Sequence, residues 1–191
     1  EKYGPVLIGI DRDGAWHLRG DSLSLLHAED PKLVQLNKAS HPVALVSGSE
    51  EGAIVDLSGG AAKQQVEVLL PILHGPYGED GSVQGLAKLA NVACVGADIL
   101  GSAVGMDKDV AKRLLRDAGI PVARHQAFRR AQWTKEGGER VIASLGLPLF
   151  VKPCNLGSSV GVSRAGNLEE LEAAVEEAFS WDTKIVIEEQ I

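Results

Sequence analysis

The stretch Leu149-Phe-Val-Lys-Pro-Cys-Asn-Leu-Gly-Ser-Ser-Val-Gly-Val-Ser163 decides how this chain is read. An apolar run, Pro148 to Val151, carries one lysine, Lys152, at its end. A loop with Gly157, Ser158, Ser159 and Gly161 follows, and a second apolar run leads to Ser163. The pattern predicts strand, small-residue loop, strand: a hairpin with a tip too bare to pack anything itself. Glycines let backbone N–H groups approach a ligand closely, and clustered N–H groups make an anion-binding nest. Two hydroxyls add donors, and Lys152 supplies a fixed positive charge. The combination suits a polyphosphate. Each part is also commonplace, so the same residues fit a plain surface loop. The loop is not a Walker A loop, since no Gly-Lys-Ser/Thr follows the glycines, and their spacing is not that of a dinucleotide fingerprint. Gly157 is expected to occupy backbone angles that a β-branched residue resists.

Working outward, 191 residues allow one large or two small domains. A composition 45% hydrophobic and 24% charged is that of an ordinary globular chain, and the net charge of −7, with no basic patch, weighs against nucleic acid as a partner. No apolar run reaches the length of a membrane span, so no membrane partner is expected. No basic-plus-apolar leader is visible, which fits a cytoplasmic protein. Cys94 and Cys154 sit apart without metal spacing and read as buried free thiols of a reducing compartment. Both ends look cut, with Glu1 directly before one strand and Ile191 directly after another, so a fragment is expected.

Val6 to Ile10 and Ala15 to Leu18 are β-type runs around Asp13-Gly14, a strong hairpin signal. Trp16 reads as packing and His17 as solvated. Leu23 to Ala28 is short and apolar, and Asp30-Pro31 starts a loop or helix. Val43 to Val46 and Ala53 to Leu57 form a second β pair, and Gly59 to Gln65 reads as loop. Val66 to Leu73 is nearly continuous apolar, as in a parallel strand buried on both faces, with Pro71 barring a central ladder position near its end. His74-Gly-Pro-Tyr-Gly-Glu-Asp-Gly81 follows it, where open α/β sheets bind ligands. Its acids also suit the start of the next helix, so Glu79, Asp80 and Ser82 read as caps and His74 as facing a cleft. Val83 to Leu89 is a helix with Val83, Leu86, Ala87 and Ala90 on one face. Val92 to Val95 is a strand, and the small-residue stretch Gly96 to Gly105 leads to a helix opened by Met106-Asp-Lys-Asp-Val110. Val110, Leu114 and Ala118 mark its apolar face, Arg113 and Arg116 suit its C-terminal end, and Gly119 with Pro121 stops it. Arg124 to Arg140 is irregular, Val141 to Leu145 a short helix. Asn167 with Glu170 makes a capping-box pattern before a helix with Leu168, Leu171, Val175 and Phe179 on its inner face. Lys184 to Glu188 is the last strand.

Five pieces, His74-Gly-Pro-Tyr-Gly-Glu-Asp-Gly-Ser-Val-Gln-Gly85, Val95-Gly96, Met106-Asp-Lys-Asp, Leu115-Arg-Asp-Ala-Gly-Ile-Pro121 and Leu147 to Val162, together resemble the D-alanine–D-alanine ligases of the ATP-grasp superfamily, in the same order. The resemblance covers nearly the whole chain. It implies an ATP-dependent ligation, with D-alanine as substrate, that passes through a D-alanyl phosphate and serves peptidoglycan synthesis. It implies Lys108 and Lys152 as phosphate-contacting lysines, and Gly157, Ser158, Ser159 and Val160 as a mobile flap, Ser158 also orienting substrate. It implies Glu188 at the adenine amino group, the Ile191 backbone amide at the ring, and His74 at the D-alanine site. No ATP role falls to Glu189. It further implies a homodimer formed through the N-terminal domain.

The family's glycine-rich loop with a substrate-holding glutamate matches nothing in these residues, nor do its acidic Mg²⁺ ligands, transition-state arginine and lid tyrosine. The 191-residue chain alone is therefore expected to make no peptide bond. The expected fold class is α/β: an open parallel N-terminal sheet of the pre-ATP-grasp type over residues 1–103, then the first ATP-grasp subdomain over 104–191. The latter is an α+β unit, an antiparallel sheet with helices on one side. Alternatives are another ATP-grasp carboxylate–amine ligase, or a non-catalytic nucleotide-binding module.

Overall fold

The computed structural model describes residues 3–11, 13–18, 25–26, 35–36, 41–48, 52–59, 62–134 and 136–191. Asp30-Pro31 and most of the Leu23–Ala28 run lie outside the described residues. The chain packs as two compact units, Glu1–Leu70 with Gln84–Gly96, and Pro71–Val83 with Ala97–Ile191.

In the first unit, β1 (Ile8–Ile10) and β2 (Trp16–Leu18) form the expected hairpin. Its turn closes through Asp11 N to Ala15 O at 3.0 Å, with Gly14 at φ +83°. Trp16 packs on the core as expected. His17 is not solvated: its side chain is 13% exposed, because the turn brings the Asp11 carboxylate to 3.2 Å from Nε2. A short pair, β3 (Leu25–Leu26) and β4 (Gln35–Leu36), is followed by β5 (His41–Leu45) and β6 (Ala53–Asp56). β7 (Ala62–Gln65) replaces the expected loop end. It is an edge strand held by its ladder with β6, which needs no apolar side chains. The sheet order is β1-β2-β5-β6-β7, antiparallel throughout.

The parallel pairing expected for this region is β8 (Val68–Leu69) against β9 (Ala93–Cys94). Continuous burial of Val66 to Leu73 is not observed: Val68, Leu70 and Ile72 are exposed. The ladder spans two residues because β9 is that short, and Pro71 lacks a donor. Between the two strands lies α1 (Ser82–Leu89). Val83, Ala87 and Ala90 are buried and Leu86 partly so, on the face that the 3.6-residue period predicts.

The second unit has α2 (Ile99–Met106) within the stretch marked in the sequence only as rich in small residues. Asp98 caps it, accepting from Gly101 N at 2.7 Å. The next helix is α3 (Lys108–Asp117), capped by Asp107, which accepts from Asp109 N at 3.0 Å and Val110 N at 3.1 Å. The apolar face expected for it is not the buried one: Leu114 and Ala118 are exposed, while Asp109 is only 2% exposed. Charge pairing, described below, turns its polar face inward. β10 (His125–Arg129) falls where irregular chain was expected. It is an edge strand, paired over all five residues with the last strand of the chain.

A 3-10 turn, Arg130–Gln132, leads to α4 (Gly137–Leu145), then β11 (Leu149–Pro153), β12 (Ser163–Ala165), α5 (Leu168–Trp181) and β13 (Lys184–Glu189). The sheet order is β10-β13-β11-β12, all antiparallel. Asn167 caps α5 through Glu170 N at 2.9 Å, and Glu170 reaches back to Gly166 N at 2.7 Å. Leu171, Val175 and Phe179 of α5 pack with Val141 of α4 on Leu149, Val151, Ile185 and Ile187. Each such burial is worth about 1.5–3 kcal/mol, enough to make this sheet a firm platform for whatever its other face carries.

Candidate functional site

Strand alternation decides what that other face carries. Leu149, Val151 and Pro153 point into the core, so Phe150 and Lys152 point away from it. Ile185 and Ile187 point in, so Lys184, Val186 and Glu188 share the face of Lys152. The register pairs Lys152 with Val186, which makes Glu188 its diagonal neighbour, and pairs Glu188 with His125 on β10.

Lys152 Nζ contacts Glu188 Oε1 directly, and Lys112 Nζ of α3 stands 2.9 Å from Oε2. The Glu188 side chain is 9% exposed. Burial raises its carboxyl, but the hydrogen bond from Lys152 and the ion pair with Lys112, whose ammonium is close to Oε2 without a well-aligned hydrogen bond, outweigh that and hold it below the usual carboxylate range. Lys108, one helical turn before Lys112, donates its Nζ to Leu156 O and, at 3.5 Å, to Cys154 O. Burial, with the charge of Lys152 adding to it, lowers the Lys108 ammonium from its ordinary value. Three lysines and one carboxylate thus meet at the foot of the hairpin loop.

The base of that loop is tied down and its tip is not. Cys154 N donates to Lys184 O at 2.9 Å, Lys108 N to Cys154 O at 3.1 Å, and Asn155 N to Asp182 Oδ2 at 2.8 Å. Cys154 is fully buried, as expected, and burial pushes its thiol up to about 12; Cys94 is half-buried, and both are free. Ser158, Ser159 and Val160 are exposed. Val160 N and Val162 N close turns on Gly157 O and Ser159 O, while the N–H groups of Gly157, Ser158, Ser159 and Gly161 donate to no described group. Ser158, Ser159 and Gly161 have φ of 51°, 59° and 65°. Left-handed angles outside glycine are strained and mark sites of interest.

Gly157 does not have a positive φ, and a Cβ there would meet nothing within 4 Å. The expectation of special backbone angles at Gly157 is therefore corrected: the demand falls on Gly161. A Cβ at Gly161 would lie 2.7 Å from Trp181 Cδ1 and 2.8 Å from Pro153 Cγ. Gly161→Ala is expected to cost about 1–3 kcal/mol and to lower Tm visibly in a thermal melt, while Gly157→Ala leaves Tm within a degree or two. Equal melts for both would refute this account of the loop.

α3 is fixed over the polar face by charge. Lys184 Nζ lies 2.6 Å from Asp109 Oδ2 and 3.0 Å from Asp107 Oδ2, and Arg113 Nε lies 2.7 Å from Asp109 Oδ1. His125 Nε2 is 3.9 Å from Asp109 Oδ1. Glu189, given no nucleotide role, accepts from Arg124 N at 2.8 Å and Nε at 2.7 Å, and Arg124 donates onward to Ser144 O and Leu145 O at the end of α4.

His74 is not joined to this cluster. Its ring is exposed and makes no hydrogen bond or ion pair with a described residue. The loop after it holds itself: Gly75 N donates to Glu79 at 2.5 Å, Tyr77 N to Asp80 at 2.9 Å, and Ser82 N to Asp80 at 2.9 Å. Asp80 and Glu79 are thus loop braces, Asp80 also serving the start of α1. Ile191 is fully exposed.

The family model described as D-ala D-ala ligase N-terminus matches residues 1–97, and the one described as D-ala D-ala ligase C-terminus matches residues 114–191. The chain belongs to the D-alanine–D-alanine ligase family. The D-alanine–D-alanine ligase of Shouchella clausii is 48% identical over 191 residues, which is 100% of this chain and 52% of that protein. Among solved structures, the VanG D-Ala:D-Ser ligase from Enterococcus faecalis superposes with a TM-score of 0.78 at 33% identity, over 97% of this chain and 52% of that one. The D-alanine-D-alanine ligase from Coxiella burnetii gives 0.77 at 30% identity, over 97% and 53%. This D-alanine–D-alanine ligase family chain spans about half the length of the curated relatives it matches. His74 lies within the N-terminus match, while the loop, Lys152 and Glu188 lie within the C-terminus match. Lys108 and Lys112 lie between the two.

Sequence reasoning brought out Lys108, Lys152 and Glu188 but passed over Lys112, Asp109 and Lys184. A signal for Lys112 existed: residues four apart share a helix face, so Lys108 on the site puts Lys112 beside it. Nothing local marked Lys184, whose partner Asp107 lies 77 residues away.

Proposed function

We propose that this chain supplies the nucleotide cradle of an ATP-dependent D-alanine–D-alanine ligase, residues 1–103 forming its N-terminal domain and 104–191 its central ATP-grasp subdomain. The observation that carries the reading is the convergence of Lys108, Lys112 and Lys152 with Glu188 at the foot of a loop whose tip N–H groups are free. Phosphoryl transfer is mostly positioning and offset of charge, and this cluster provides both. Lys108 and Lys152 offset the charge of the polyphosphate, and the flap of Gly157, Ser158, Ser159 and Val160 covers it. Glu188 accepts from the adenine amino group and the Ile191 amide meets the ring. A carboxylate oxygen of one D-alanine attacks the γ-phosphorus and ADP leaves. The amine of a second D-alanine then attacks the acyl carbon, loses a proton, and inorganic phosphate leaves. His74 lines the D-alanine site and Ser158 orients the substrate. The loop also keeps water from the acyl phosphate.

Magnesium normally bridges ATP phosphates. The described side chains do not fit it: among them no group of three or more His, Cys, Asp or Glu could hold a metal ion. Its ligands are proposed to lie in sequence outside these residues. Among the described residues no helix is long and apolar enough to cross a membrane, and a cytoplasmic homodimer feeding cell-wall biogenesis and so cell shape is the setting proposed.

The test is an assay of the complete protein with ATP, Mg²⁺ and D-alanine, following phosphate release and the product by mass spectrometry. D-alanyl-D-alanine formed with one phosphate per dipeptide is the expected result. Parallel arms replace the second substrate by D-serine or D-lactate, and one arm uses the 191-residue chain alone, for which no dipeptide is expected. Phosphate release driven by other amino acids but not by D-alanine would overturn the reading.

A further inference from the structure

We infer that Lys112 is a positioning residue for Glu188: it stays on Oε2 while Oε1 passes from Lys152 to the amino group of the nucleotide base. The inference rests on the ATP reading above. In that reading Lys152 acts at the phosphates, yet in this structure it is paired with Glu188 Oε1. A base amino group arriving at Oε1 competes with Lys152 for that oxygen, and Oε1 is inferred to change partner when nucleotide binds. A buried carboxylate left without a positive partner tends to take up a proton. A protonated Glu188 would present a hydroxyl as well as an acceptor, and would lose its preference for an amino over an oxo group on the base.

Lys112 prevents this. Its Nζ stands 2.9 Å from Oε2, the oxygen Lys152 does not use, and its side chain is 20% exposed. It rides on α3, which the Lys184–Asp109 and Lys184–Asp107 pairs hold to the sheet, so it has no reason to follow Lys152. Two other charged or titratable groups face Glu188: Lys108, whose charge acts on it without contact, and His125, opposite it on β10 with Asp109 behind. Among the described residues only Lys112 and Lys152 pair with the carboxylate.

The experiment compares the complete enzyme with its Lys112→Met and Lys112→Arg variants, varying ATP and inosine triphosphate, which carries an oxo group where ATP has the amino group. Lys112→Met is expected to raise KM for ATP about tenfold, with kcat within about twofold, and to narrow the preference for ATP over inosine triphosphate. Loss of a positive neighbour raises the Glu188 pKa, so the acid limb of kcat/KM for ATP moves to higher pH. Lys112→Arg restores all three. A role confined to folding would lower Tm and leave the acid limb and the base preference where they were, and that result overturns the inference. Should Lys112→Met fail to fold, ¹³C-glutamate NMR of the wild-type enzyme decides. Glu188 titrating below the ordinary range both free and with a non-hydrolysable ATP analogue supports the inference; a return to the ordinary range on binding overturns it. An enzyme that makes no dipeptide at all overturns the ligase reading instead, and so is distinguishable from failure of the inference alone.

Discussion

Lys152→Ala is expected to lower kcat/KM for ATP by on the order of a hundredfold or more in the complete protein, on the ligase reading proposed above. Two unit charges at close range near a protein surface interact by about 4 kcal/mol, and about 2.7 kcal/mol is already a hundredfold. The lysine is well placed to deliver this. Its strand is anchored by Leu149 and Val151, both fully buried, and its ammonium stands at the foot of the loop. The expected split is informative. Loss of phosphate charge should appear in kcat, while Glu188, still paired with Lys112 at 2.9 Å, should keep much of the nucleotide's binding. Steady-state rates near wild type would remove Lys152 from the reaction and leave it as a partner of Glu188 only.

Asp109→Ala is expected to destabilise the C-terminal unit by about 3–5 kcal/mol, the range for removing one member of a buried ion pair. For a chain of this size, about 3 kcal/mol corresponds to a Tm drop of roughly 6–12 °C. Asp109 is 2% exposed and takes Lys184 at 2.6 Å and Arg113 at 2.7 Å. Burial raises its carboxyl, and the hydrogen bonds from Lys184 and Arg113 outweigh that, so it titrates below the ordinary value. The sign of the pH dependence follows. A carboxyl lowered in the folded state adds stability that is fully present above its unfolded pKa, about 3.9 for Asp, and is lost as the pH falls through the folded value. Glu188 is lowered too and acts in the same window. Wild-type Tm should therefore fall steeply below about pH 4, and Asp109→Asn should fall less steeply from a lower starting point. Calorimetric scans between neutral and strongly acidic pH check both. Parallel curves would mean that Asp109 is not the group that titrates.

What the sequence by itself determined is local. The β11–β12 hairpin follows from two apolar runs around a small-residue loop. The buried face of α1 follows from the helical period, and the start of α5 from an Asn167 side chain bonding a backbone N–H three residues on. In each case the deciding contacts lie within a few residues, so the pattern carries the outcome. Lys152 at a strand end and the bare Gly157–Gly161 tip were visible for the same reason. What only the tertiary structure decided depends on partners distant in the chain. β7 and β10 are polar, and their ladders with β6 and β13 make them strands. α3 carries Leu114 and Ala118 at apolar spacing, yet turns Asp109 and Lys112 inward because Lys184 and Glu188 wait on the sheet. Lys152 and Glu188, 36 residues apart, become one ion pair through the β11–β13 register. With Lys184 and Glu188 already on that face, turning α3 the other way would leave buried charges without partners, which costs more than leaving two apolar side chains exposed. That choice is made where both partners are already in place, which no local pattern records.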